Sequence, residues 1–493
     1  MSCFHEEPYA FFPGFHLQTL RRKPRTERQK LAEEMERISN HSLSKLSEVF
    51  STFIRLPNVS DTSNRTFTRR RLFSRENIFW AFFSQILNAD NGCREITRKI
   101  QAQMAAKGLA IPSSSTSAYC QARAKLEERV LSDVLQTTGE QLQAQAGDLR
   151  WKQRRVIVVD GTGVSMPDTS ANQGVWPQPN SQKTGCGFPQ ARICACFCLA
   201  TGALLSYRLG NKKSHELPLL QDQWSVFEDK DIMLADKGFC SYFDISNLKD
   251  RGVDSVHTLA RRKPVNAQDA LAVLGEDDLL VRWTKPVRST FSRYSQEDSE
   301  ALPDELVLRQ IKVTVGTPGF RSSHFYLMTT LLDAEKYTAA DLADLYFQRW
   351  DVELFFRDIK TTMDMDVLKC RSPKMVKKEI LMHFIVYNAM RFVMLESAKQ
   401  KNISPRKISF KASLQALRQW EPEYSRPSID ANEIRRLIVQ MYNAIVDTIL
   451  PERPHRSEPR CVKRRPKTFQ LMTKPRHEMK ETFHRGRNTA KRA

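Results

Sequence analysis

A mixed α/β core set between helical flanks is the fold class that this sequence predicts, and three features predict it. Near residue 150 the apolar period changes from about 3.6 to about 2. Two strand-like runs, RRVIVVD and DIMLAD, then end in acids, Asp160 and Asp236. After a further β-rich stretch the helical period returns in YTAADLADLYFQRWDVELFFRDIKTTM, residues 337–363, which no Pro or Gly interrupts.

The chain has 493 residues, enough for several domains and a large core. Its hydrophobic content of 41% and charged content of 27% are those of a globular protein in water. The formal charge of +21 points to a polyanionic partner, nucleic acid ahead of an anionic membrane. No apolar run reaches the roughly 18 residues of a membrane span. The most apolar stretch, ILMHFIVYNAMRFVML, is broken by His383, Asn388 and Arg391. The start, MSCFHEEPYAFF, is acidic before it is apolar and does not resemble a signal peptide. Ten cysteines in a chain this long do not suggest a disulfide scaffold. Alternation places Cys194, Cys196 and Cys198 on one strand face. Their C-x-C-x-C spacing is not that of a zinc knuckle, so small buried thiols are expected.

Residues 1–72 read as a basic N-terminal arm with one amphipathic helix and a basic linker, DTSNRTFTRRRL. Residues 73–150 read as a helical DNA-binding domain. Its first helix starts at Ser74, with Phe73 and Ile78 placed as a hydrophobic staple. The second spans roughly 92–107 and stops at Gly108. The third runs from Ser117 through AYCQARAKLEERVLSDVLQ, with Arg123 and Lys125 as candidate base readers. A helix-turn-helix and a plain bundle are equally open here.

Residues 151–259 form the first part of the core: the strand ending in Asp160, ARICACFCLATG and ALLSYRLGN joined at Thr201-Gly202, a helix at 214–227, the strand ending in Asp236, a helix at 241–250 and the strand DSVHTLA. Residues 260–330 contain VRWTKPV, LVLRQIKVTV and HFYLMTTLL, an all-β insertion. Residues 331–400 complete the core with the long helix and a second one capped by Ser372-Pro373. Residues 401–450 are a helical C-terminal region. The tail 451–493 holds 14 Lys and Arg against 4 Asp and Glu, a net +10 of the +21, and reads as a disordered electrostatic arm. No internal repeat is present.

The helix at 337–363 starts with Thr338 as N-cap and Asp341 three residues on. Taken as one straight helix, it puts Tyr346, Arg349, Glu353 and Lys360 at roughly 0°, 300°, 340° and 320° around its axis. A carboxylate, a guanidinium, an ammonium and a phenol thus share one stripe. Together with the strand-end acids Asp160 and Asp236, Glu353 gives three carboxylates on separate elements. Such a set can hold two divalent cations about 3.5–4 Å apart, with Mg²⁺ or Mn²⁺ suiting oxygen ligands. Asp168, Asp231, Asp351 and Asp358 are competing acids close by in sequence.

Asp160 in VVDGTGVSMPDTSANQ, GFPQARI, Asp236 in LADKGF, and the spacing Tyr346-x₂-Arg349-x₃-Glu353-x₆-Lys360 resemble the DDE transposases of the bacterial IS-four family. The resemblance covers roughly residues 75–400, and Lys237 departs from it in standing where the family has Arg. It implies an RNase H-like catalytic core, a mixed sheet flanked by helices, with a β insertion between the second Asp and the Glu. It also implies that Asp160, Asp236 and Glu353 are the catalytic acids and ligands of two Mg²⁺ or Mn²⁺ ions. Tyr346, Arg349 and Lys360 would contact DNA phosphates near the scissile bond, with Lys237, Arg357 and Trp350 as further DNA-binding residues. Trp350, and less strongly Trp283, are candidates to stack on a flipped base.

The activity implied is cut-and-paste transposition of an insertion sequence at terminal inverted repeats: nicking, hairpin formation and strand transfer. Double-stranded DNA, as transposon ends and target, is the implied partner, and pairing two ends implies a homodimer. The implied location is the bacterial cytoplasm, on the nucleoid. Two alternatives are a sequence-specific DNA-binding protein without catalysis, a domesticated or decayed copy, and a metal-dependent nuclease without strand transfer.

Overall fold

The computed structural model describes residues 45–57, 72–211, 214–259, 264–288, 293–315, 323–426, 429–451 and 471–479. Most of the basic arm expected at 1–72, and most of the tail expected at 451–493, lie outside the described residues.

The N-terminal helices follow their sequence punctuation, with one exception. Helix α1, Arg75–Leu87, is capped by Ser74, whose hydroxyl accepts the Asn77 N–H at 3.2 Å. Helix α2, Cys93–Ala106, ends before Gly108, which has a positive φ of 66°. The third expected helix is two: α3, Ser117–Lys125, and α4, Glu128–Ala144. No Pro or Gly causes the break. Leu126 adopts ψ 125° and is fully buried, so core packing overrides a helical pattern. Arg123 is not placed to read bases. It is buried, donates to Gln85 Oε1 at 2.8 Å, and lies over the rings of Phe82 and Tyr119. Lys125 remains exposed.

The core begins with strand β1, Val156–Ser165, then a short helix α5, Ser170–Val175, and strands β2, Gln190–Cys198, and β3, Leu204–Asn211. Helix α6, Glu216–Gln221, leads to β4, Ile232–Ala235, helix α7, Tyr242–Asp250, and β5, Asp254–Thr258. The strand order across these five is β3-β2-β1-β4-β5. β1–β2 and β2–β3 are antiparallel, whereas β1–β4 and β4–β5 are parallel. That is the RNase H-like arrangement that the resemblance implies.

The insertion supplies β6, Ala272–Gly275, β7, Asp278–Thr284, a short helix α8, Gln296–Ala301, then β8, Glu305–Val315, and β9, Ser323–Thr329. Its strands do not make a separate sheet. β9 pairs antiparallel with β5 through Val256↔Thr329, so the nine strands form one sheet with the insertion at its far end. Trp283 of β7 is buried edge-on against Tyr242, 5.6 Å between centroids, which removes it as a base-stacking candidate.

A β-bulge between Cys196 and Phe197 breaks the strict alternation of β2. Cys194 and Cys196 pack under Leu219 and Leu220 of α6, whereas Cys198 joins Ala195 and Phe197 in the other layer. The three thiols therefore do not share a face. Burial pushes the Cys196 thiol up to about 12.

The run expected as one helix is helical throughout but uneven. Helix α9, Ala339–Phe347, opens with a reciprocal capping box: Thr338 Oγ1 accepts the Asp341 N–H at 3.1 Å and Asp341 Oδ2 accepts the Thr338 N–H at 3.0 Å. A 3₁₀ turn at Gln348–Trp350 leads into α10, Asp351–Arg357, and a π-helical turn follows at Asp358–Thr362. The π turn holds a buried pair, with Arg391 Nη2 3.0 Å from Asp358 Oδ2. Arg391 lies on α11, Pro373–Gln400, which is buried almost all round and packs against α1, α4 and the sheet. Helices α12, Phe410–Tyr424, and α13, Ala431–Val446, cover its other side. Burial on all faces explains its apolar sequence. Among the described residues no helix is long and apolar enough to cross a membrane.

Two buried histidines make stability pH-dependent. Burial holds His257 and His383 neutral, pulling them down to about 4 and about 3. In the unfolded chain each takes up a proton near pH 6.5. As the pH falls from about 6.5 towards 4, the unfolded state binds more protons than the folded state. Stability is therefore lost across that window, by up to about 1.4 kcal/mol per pH unit for each group, and neither contributes above about pH 7. His383→Met should flatten the decline of the thermal midpoint between pH 6.5 and 4.5. A decline as steep as that of the wild type would show that His383 is not held neutral.

Candidate active site

The site is built where the parallel pairing of β1 and β4 stops: β4 ends at Ala235, whereas β1 runs on to Ser165 against β2, so Asp160 lies within its strand and not at the end expected from sequence. Val159 of β1 is in register with Ala235 of β4, so Asp160 and Asp236 are the next residues on neighbouring strands, about 4.8 Å apart across the ladder. Asp160 Oδ1 accepts the Gly161 N–H at 2.7 Å. Asp236 caps the turn that follows it, its Oδ1 accepting the Gly238 N–H at 2.8 Å. Burial pushes the Asp160 carboxyl up to about 6, against the pull of the Gly161 N–H and Arg349, and Asp236 and Glu216 add repulsion.

Glu353 enters from α10, whose Phe355 and Phe356 anchor it on the sheet around Phe197. Between Glu353 and Asp160 stands Arg349. Its Nη1 is 4.0 Å from Asp160 Oδ2 and its Nη2 is 3.9 Å from Glu353 Oε1. The guanidinium is buried and lies over the rings of Tyr346 and Trp350, 5.7 and 4.8 Å from their centroids. Its Nε is buried and has no hydrogen-bond partner among the described residues. Tyr346 is buried and its hydroxyl donates to Thr258 Oγ1 at 3.2 Å. Trp350, by contrast, is 54% exposed.

The uneven helix changes the stripe drawn on a straight one. Tyr346, Arg349 and Glu353 do adjoin. Lys360 falls on the π turn and pairs with Asp366 at 3.0 Å, and the Asp366 carbonyl accepts the Ser165 N–H at the end of β1. Lys237, next to Asp236 in the chain, is exposed, and so is Arg357, whose Nη2 is 3.9 Å from Asp358 Oδ1. The competing acids are accounted for differently. Asp231 is paired with Arg155, Asp351 with Arg406 and Asp358 with Arg391, while Asp168 accepts from Gln173. Glu216 at the start of α6 was not singled out from sequence. It reaches the backbone beside Asp160 from the other side of the sheet, and only the fold reveals that approach.

Residues 151–389, which contain the three acids, match the family model described as a transposase DDE domain. These residues form a DDE transposase domain. Transposase InsG for insertion sequence element IS4 of Escherichia coli (strain K12) is 24% identical over 412 residues, 83% of this chain and 89% of InsG. A probable transposase for insertion sequence element IS5377 of Geobacillus stearothermophilus is 36% identical over 73 residues, 15% of this chain and 19% of its own. Among solved structures, a piggyBac transposase synaptic complex with hairpin DNA aligns over 85% of this chain and 86% of its own, at 12% identity and a TM-score of 0.40. The fold assignment rests on the strand order and not on that likeness.

Proposed function

We propose that this transposase moves its element by cut-and-paste phosphoryl transfer at terminal inverted repeats, with Asp160, Asp236 and Glu353 as the catalytic acids. The observation that carries the proposal is the placement of Asp160 and Asp236 side by side just beyond the parallel pairing of β1 and β4, with Glu353 facing Asp160 across Arg349. All three donors are carboxylates, and Asp160 is a poorly hydrated one, so the set fits Mg²⁺ or Mn²⁺. Among the described residues, no three His, Cys, Asp or Glu side chains are gathered closely enough to enclose a metal ion, and a guanidinium lies against two of the acids. Two divalent ions held by these acids would activate the attacking oxygen and stabilise the leaving one in an in-line displacement.

The chain's own groups then position DNA. Arg349 offers its fork to the scissile phosphate, and Lys360 adds a point charge. Lys237 and Arg357 hold the flanking backbone, with the Tyr346 phenol beneath. Trp350, open to solvent on one side and stacked by Arg349 on the other, receives an unstacked base during hairpin formation. The transposase acts as a homodimer that pairs two ends, in the bacterial cytoplasm on nucleoid DNA. A nuclease without strand transfer would use the same acids, and only a joined product separates the two activities. A non-catalytic DNA-binding copy is disfavoured because all three acids are present.

The basic tail is assigned to DNA. Deleting residues 452–493 should weaken binding to end DNA and flatten its dependence on salt, by about 0.9 in slope for each phosphate released. Filter binding across a salt series measures this. Identical slopes for the two chains would show that the tail is not on DNA.

A further inference from the structure

The first half of β1, up to Asp160 and Gly161, is held between two helices, and each brings a glutamate. α10 packs on the layer of Val158, Ala195 and Phe197 and carries Glu353. α6 packs on the opposite layer, with Leu219 and Leu220 on Ile157, Val159, Cys194 and Cys196, and starts with Glu216.

The approach of Glu216 depends on the residue after Asp160. A Cβ at Gly161 would lie 2.2 Å from Glu216 Oε1 and 2.3 Å from its carboxyl carbon. Only a residue without a side chain lets this carboxylate settle on the strand beside Asp160. The same Oε1 is 3.5 Å from Arg192 Nη1. Arg192 is the β2 partner of Gly163, so by alternation it stands on the face of Gly161. Glu216 therefore engages a guanidinium on its own face of the sheet, opposite the face that alternation gives the Asp160 side chain.

We propose that Glu216 is a fourth functional carboxylate of the active site, a positioning residue that strengthens the hold of Asp160 on a divalent cation. It does so by placing negative charge on the strand beside Asp160, from the opposite face of the sheet. The inference rests on the reading of Asp160 as a metal ligand.

Mn²⁺ titration of the full chain tests it, with the Mg²⁺ concentration for half-maximal nicking of end DNA as a second readout. Asp160→Asn should abolish binding. Glu216→Gln should weaken it about tenfold, as expected for one charge lost near a partly screened site. Gly161→Ala should do the same by displacing the carboxylate. In a Glu216→Ala background Gly161→Ala should add nothing, because the group it collides with is gone. Thermal midpoints and DNA binding should stay at the wild-type level, since Glu216 is one-third exposed. Normal Mn²⁺ affinity in Glu216→Gln, with binding lost in Asp160→Asn, would overturn the inference alone. So would an equal effect of Gly161→Ala with and without Glu216. Binding unchanged by Asp160→Asn, or none by the wild type, would overturn the reading of Asp160 itself.

Discussion

Glu353→Gln should lower single-turnover nicking of end DNA by at least about 10³-fold while leaving DNA affinity within about twofold. The amide keeps the shape of the side chain and removes the charge that would hold a cation. Loss of several kcal/mol of charge stabilisation in the transition state corresponds to a rate loss of this size. The variant should remain folded, because the Glu353 side chain is half-exposed and its nearest ionic partner is Arg349 at 3.9 Å. Gel shift and cleavage on one preparation separate the two effects. Nicking at the wild-type rate would remove Glu353 from the catalytic set.

Arg349→Ala and Lys360→Ala should each slow cleavage of pre-bound DNA by about 10²-fold, with much smaller effects on affinity. Arg349 lies against both Asp160 and Glu353, so a phosphate near those acids is within its reach. Lys360 lies near the end of β1 through its pair with Asp366. Misplacing the reacting phosphate by about 1 Å is enough for a loss of this order. The formal charge of +21 supplies many other phosphate contacts, which keep overall binding nearly constant. Because Arg349 is buried, Arg349→Lys is the necessary control: it keeps the charge, loses the fork and should still be slow. Trp350→Ala tests another step. Nicking should survive and hairpin formation should fall, with little change in thermal midpoint for a side chain 54% exposed. Full activity in both Arg349→Ala and Lys360→Ala would show that these groups do not hold the reacting phosphate. Equal loss of nicking and hairpin in Trp350→Ala would show that its ring does not serve the hairpin step.

What could be read from sequence was what local chemistry controls. The unbroken apolar runs before Asp160 and Asp236 mark strands because burial on both faces demands continuous apolar residues. Ser74, Gly108 and Thr338 punctuate helices because their own atoms or backbone freedom make the caps. What could not be read was set by tertiary contacts. Leu126 breaks a helix by entering the core, and Arg123 spends its charge on Gln85 and two rings. The π turn at Asp358 accompanies a pair with Arg391, which lies 33 residues further on. Separate strands placed Asp160 and Asp236 together only once the β1–β4 register was known. Glu216 carries no signal of its own; the missing side chain at Gly161 becomes meaningful only when α6 is seen above it.

The central claim is that these acids serve transposition and not cleavage alone. The most direct measurement incubates the full chain with Mg²⁺, DNA carrying the element's ends taken from the sequence flanking its reading frame, and a supercoiled target plasmid. End DNA covalently joined to the plasmid through its 3′ strand is the expected product, absent with Asp160→Asn, Asp236→Asn or Glu353→Gln. Cut ends that accumulate without any joined product would contradict the claim and leave a nuclease.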